Sequence, residues 1–91
     1  MSKDKVLEAI STYRNYFEGN KIEKKSFPHD QHYPTRRQIM MHCHTMLDKM
    51  EAFIQEGKME KTFRWLGFIQ GCLWSESIHN LEELKDHNRT K

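Results

Sequence analysis

Two apolar-periodic segments with almost nothing between them constrain this chain more than any other feature. From Arg36 to about Glu56, Ile39, Cys43, Met46, Met50, Phe53 and Ile54 recur at helical spacing. At about 100° per residue they share one face. Thr45, Asp48, Glu51, Ala52 and Gln55 fall opposite. A second pattern runs from about Met59 to Trp74 and carries Trp65, Leu66, Phe68, Ile69, Cys72 and Leu73. Only Gly57 and a neighbour or two separate the patterns. Glycine is the natural C-terminal stop of a helix. Two long helices joined so tightly must fold back as an antiparallel hairpin.

The rest of the chain fits around that hairpin. Val6, Ile10, Tyr13 and Phe17 predict a helix from about Lys3 to Phe17, stopped by Gly19 and Asn20. Residues 18–34 form the one long irregular stretch and hold both prolines, Pro28 and Pro34. A loop of that length in a small domain is often functional. A short helix fits "NLEELKDHN", where Asn80 and Glu83 make a capping box. Residues from about 88 to 91 are expected to be a flexible tail. Strand patterns are absent. The expected fold is one all-α domain over residues 1–91, with three main helices and a short C-terminal helix.

The helix starting at Arg36 carries a conflict. Thr35 and Gln38 are a second capping box, which fixes the start. Arg36 and Arg37 then sit where the helix dipole is already positive. The ordinary account is solvation, or pairing with a glutamate of helix one or four such as Glu82. The functional account is an anion site, because helix N-termini and guanidinium forks both take phosphate. Arg36 faces the end of the bundle and Arg37 points away. Tyr33, His32 and His29 stand just before them and could stack on a ligand ring.

The charge and motifs exclude several classes. The net charge is +2 over 91 residues, with acidic and basic groups mixed, unlike a general nucleic-acid binder. Helix three is too apolar for a DNA-reading recognition helix. His42 and His44 flank Cys43, but residues two apart on a helix diverge. On that geometry His42 borders the core face and His44 leans to solvent. They cannot share a metal ion or serve the Cys43 thiol as base, and no zinc-finger spacing occurs. No catalytic set, metal or cofactor is expected. Cys43 and Cys72 are expected as reduced, buried thiols, with a disulfide as the lesser alternative. No signal peptide or membrane span is evident, so the expectation is a soluble cytoplasmic protein.

Helix three has a second face. Gly67 and Gly71 lie one turn apart, with Arg64 and Trp74 beside them. Each glycine costs about 1 kcal/mol against alanine. Either helix one packs there, or a homo-oligomer closes over it with Trp65 or Trp74 as anchor. Met41, opposite the core face of helix two, offers a second interface. The run "RWLGFIQGCLW", preceded by "HCHTMLDKMEAFIQEGKMEK" and followed by "LEELKDHN", resembles a family of short uncharacterised proteins of tailed bacteriophages. The resemblance covers the C-terminal two-thirds and implies an accessory protein in the cytoplasm of an infected bacterium. The combined expectation is a non-enzymatic, oligomeric protein that sequesters a small anionic, nucleotide-like host signal. Arg36, Arg37, Tyr33, His32, His29, Arg64 and Trp74 would form its site. The alternative is an inhibitor or adaptor that binds a host protein through helix three.

Overall fold

The computed structural model describes residues 2–28, 30, 34–76 and 78–89. Four helices follow in order: α1 (Lys3–Gly19), α2 (Arg36–Gln55), α3 (Met59–Ser75) and α4 (Leu81–Asn88). No strand occurs among the described residues. The fold is all-α, with three main helices and a short fourth, as the periodicity predicts.

Local chemistry sets the boundaries. The Ser2 hydroxyl accepts from the Lys5 amide at 3.1 Å and starts α1. In the Thr35–Gln38 box, the Thr35 hydroxyl accepts from the Gln38 backbone amide at 3.1 Å, and the Gln38 side-chain Oε1 accepts from the Thr35 backbone amide at 2.9 Å. Asn80 and Glu83 repeat this at α4. Each box satisfies two amides that a helix start would otherwise leave open. Gly57 closes α2 with a φ of 77°, a conformation that costs glycine nothing. The Gly57 and Lys58 amides donate back to Ile54 and Phe53, which turns the chain into α3.

The core is built from Val6, Ala9, Ile10, Tyr13 and Phe17 of α1, from α2, and from Leu66, Ile69 and Leu73 of α3. α2 packs against both α1 and α3, so its buried arc is broader than one narrow apolar face. This corrects the single-face reading. Met40, His44 and Leu47 are buried along with Cys43, Met46, Met50 and Ile54, while Ile39 and Phe53 are only half-buried. His44 in particular does not lean to solvent. Its ring lies 5.3 Å from that of Phe17. Its Nδ1–H donates to the Ile22 carbonyl at 2.7 Å. A turn after α1 supplies that acceptor, which no helical wheel of α2 shows.

α4 docks on α1 through buried Leu84 and a polar network. Gln70 Nε2 donates to the Tyr13 hydroxyl at 2.9 Å, and that hydroxyl meets His87 Nδ1 at 2.8 Å. Gln70 and Asn88 exchange two further bonds at 2.7 and 3.0 Å. Asn88, expected in a loose tail, is thereby tied to α3. Burial raises the Tyr13 hydroxyl to about 12, and the Gln70 donor opposes this in part. Burial and then the neighbouring His79 lower His87.

Candidate functional site

Arg36 and Arg37 occupy the end of the bundle where α2 begins and α3 stops. Arg36 Nε lies 3.6 Å from the carboxylate of Glu76, at the C-cap of α3. The partner is therefore neither helix one nor Glu82, which instead meets Arg89 at 3.2 Å. The antiparallel hairpin explains this, because it sets the start of α2 beside the end of α3. Arg37 is exposed but not free: its guanidinium donates to the Lys21 carbonyl at 3.0 Å. Both arginines border a shallow groove of ≈260 Å³ with Tyr16, Asn20, Ile22 and Met40. His29, His32 and Tyr33, the expected rings of this corner, lie outside the described residues.

The same hairpin separates other residues that the sequence grouped. Arg64 is twelve residues before Glu76, about 18 Å along α3 at 1.5 Å per residue. Trp74 is exposed and borders a groove with Ile78, His79, Asn80 and Glu83. Within one chain, neither joins Arg36.

A larger concavity lies between the segment before α2 and the α2–α3 hairpin. One part, of ≈300 Å³, is lined by Phe27, Pro28, Pro34, Gln38, Ile39, His42 and Phe68. The adjoining part, of ≈550 Å³, shares His42 and Phe68 and adds Lys49, Phe53, Lys61 and Trp65 among others. Phe53 and Trp65 meet edge to face at 4.8 Å. Lys61 Nζ lies 4.5 Å from the centre of the Phe53 ring, and Lys25 Nζ lies 5.6 Å from that of Phe27. Phe68, at 54% exposure, forms the open floor. Among the described residues two lysines line the cleft and no carboxylate does, in a chain with 13 acidic residues. The acidic groups of α2 are engaged elsewhere. Asp48 takes Lys24 and Arg14 at 2.9 Å each, and Glu51 also takes Arg14. The Lys24 and Arg14 bonds hold the Asp48 carboxyl below its usual range.

Sequence reasoning missed this cleft, although a signal was present. Lys49 precedes Phe53, and Lys61 precedes Trp65, each by four residues. That spacing puts cation and ring on one helical surface, and the hairpin brings the two pairs together. Trp65, expected as an oligomer anchor, is half-buried in this cleft. Met41, expected to be exposed, is also half-buried.

The cysteines are free thiols, Cys43 buried and Cys72 half-buried. They lie against each other across α2 and α3. The Cys43 thiol is hydrogen-bonded to Cys72, and that contact together with burial pushes it far above the usual range. A protonated, buried thiol is a poor nucleophile. Among the described residues, no three His, Cys, Asp or Glu side chains gather where they could hold a metal ion. No helix among them is long and apolar enough to cross a membrane.

Gly67 and Gly71 are exposed, and a Cβ on either would meet nothing within 4 Å. Packing of α1 against this face is thus excluded within the chain. Phe63 and Trp74 lie on the same side of α3, with Trp74 at 54% exposure.

Family models, curated proteins and solved structures were compared with the chain, and none matches it.

Proposed function

We propose that the chain is a non-enzymatic binding protein that sequesters an anionic, ring-bearing ligand of nucleotide type in the cleft between α2 and α3. The observation that carries this reading is an aromatic floor edged by Lys49 and Lys61, with no lining carboxylate among the described residues. A pocket of this size suits a small ligand. Open ring faces take a base or other π-system, and ammonium groups take phosphate. The reading keeps the ligand class expected from the sequence and moves the site. The Arg36–Arg37 corner has charge but little apolar surface among the described residues. Its exposed Arg36–Glu76 pair is worth under about 1 kcal/mol, so an arriving phosphate could displace Glu76. The corner then serves as a secondary contact.

The setting we infer is a tailed-phage accessory protein in the cytoplasm of an infected bacterium. It rests on the likeness of the C-terminal two-thirds to that family. Sequestration needs no turnover, which fits a cleft lined by aromatic rings and lysines and by neither cysteine among the described residues. Oligomerisation belongs to the same reading and is supported by the apolar exposed face of α3. That face also supports a second reading, an inhibitor or adaptor that grips a host protein.

A thermal-shift panel of mono-, di- and cyclic nucleotides tests the proposal. A true ligand raises the melting temperature by mass action, equivalent to about 2.7 kcal/mol at a hundredfold excess over Kd. Lys61→Glu should abolish the shift, while Arg36→Ala should only weaken it. If no nucleotide shifts the wild-type protein, the ligand reading fails and the protein-partner reading takes its place.

A further inference from the structure

The central spacing of the exposed face of α3, from Arg64 through Gly67 and Gly71 to Trp74, is symmetric about its midpoint. Glu60, Arg64, Gly67, Gly71 and Trp74 follow at alternating spacings of four and three, and all five are exposed. That is the spacing of a helix–helix seam. Phe63 and Phe68 flank it, also exposed. Laid antiparallel on a second copy, the seam sets Gly67 against the partner's Gly71. The same register sets Arg64 against the partner's Trp74, once on each side of the centre. A closed two-fold contact requires this self-complementarity, because residue i must meet j while j meets i. A parallel pairing would instead set Arg64 on the partner's Arg64 and Glu60 on the partner's Glu60. Charge thus selects the antiparallel arrangement.

We propose that α3 pairs with α3 of a second copy, antiparallel, about a two-fold axis between Gly67 and Gly71. This inference rests on the reading of the chain as an oligomer and names the surface and register. The paired glycines let the two backbones approach closely at the centre. Each Arg64 guanidinium covers the face of the partner's Trp74, a cation–π contact that the single chain leaves unmade. The axis keeps both Phe68 rings on one side of the seam. The two basic aromatic clefts therefore open on the same side, next to each other. Arg64 and Trp74, distant from Arg36 in one chain, acquire a shared role only in the pair.

Native mass spectrometry and sedimentation of the full chain test this. The wild type should be a dimer or an even-numbered assembly. Gly71→Leu should remove the α3 contact while keeping the helical circular dichroism, because Gly71 is exposed and a Cβ there meets nothing within 4 Å. Trp74→Arg should dissociate the pair by setting arginine on arginine. Combining Trp74→Arg with Arg64→Trp should restore it, which only the antiparallel register allows. A wild type that stays monomeric at high concentration overturns the oligomer reading itself. An oligomer unaffected by Gly71→Leu overturns the seam and leaves oligomerisation standing. Failure of the combined variant to reassociate overturns the register.

Discussion

Replacing both glycines of α3 by alanine should make the isolated chain more stable. The two positions are interior to a helix of 17 residues, exposed, and open to an added Cβ. No steric cost opposes the change. Glycine in such a place costs about 1 kcal/mol against alanine, through the backbone freedom it loses on folding. Two independent sites one turn apart should give about 2 kcal/mol. Total stability for a chain this size is about 5–14 kcal/mol, so the gain is a sizeable fraction. It corresponds to a rise in melting temperature of roughly 10 °C. Urea denaturation at several protein concentrations is the assay, since association adds a concentration-dependent term. At dilutions where the chain is monomeric, Gly67→Ala with Gly71→Ala should raise the midpoint at unchanged slope. A loss of stability there would refute the reasoning. It would mean that some part of the chain lies against the glycine backbone, and that the open face is not open. A gain in the monomer together with weaker association would show what the glycines are retained for.

Other outcomes follow from the same geometry. Tyr13→Phe removes a hydroxyl that accepts from Gln70 and leaves His87 Nδ1 without its partner, and should cost about 2 kcal/mol. Hydrogen exchange should show α4 amides opening first; uniform protection across α4 would contradict this. His87 is held below its ordinary value by burial and His79, with Lys5 acting the same way and Glu83 and Asp86 opposing. A lowered folded value means that the unfolded chain takes the proton first as pH falls. The contribution is full above about pH 6.5 and is lost below it. Urea titrations at about pH 7.5 and 5.5 should show that loss, and His87→Gln should shrink it. Lys49→Glu should lower affinity for any nucleotide that stabilises the wild type at least about tenfold, or about 1.4 kcal/mol, by calorimetry. Arg36→Ala should change stability by under about 1 kcal/mol, because its partner Glu76 is met at the surface and Arg36 itself is mostly exposed.

Much of the fold was legible because its signals are local. The Thr35–Gln38 and Asn80–Glu83 boxes, the Gly57 stop and the spacing of Val6, Ile10, Tyr13 and Phe17 each act within a few residues. The lining of α2 was less legible. At about 100° per residue Met40 and Leu47 fall beside Cys43 and Ile54 on one arc, so a wheel could have shown them; only burial of the polar His44 depends on a second neighbour. The site was the least legible part. Lys49 with Phe53 and Lys61 with Trp65 are visible as pairs. That they form one cleft requires the hairpin to bring them face to face.

The sequence by itself determined the helices, their ends and the antiparallel hairpin, because hydrogen-bonding caps and apolar period are properties of short stretches. It also placed Gly67 and Gly71 one turn apart on α3 with Arg64 and Trp74 beside them, since spacing is arithmetic on one helix. Only the tertiary structure decided where charge is left unspent. Arg36 meets Glu76, Arg37 meets the Lys21 carbonyl, and Asp48 and Glu51 are drawn to Arg14 and Lys24. Lys61 remains over the Phe53 and Trp65 rings, Lys49 lines the same cleft, and no carboxylate lines it among the described residues. Ion pairing between distant elements depends on which surfaces the packing opposes, and no local pattern in the chain encodes that.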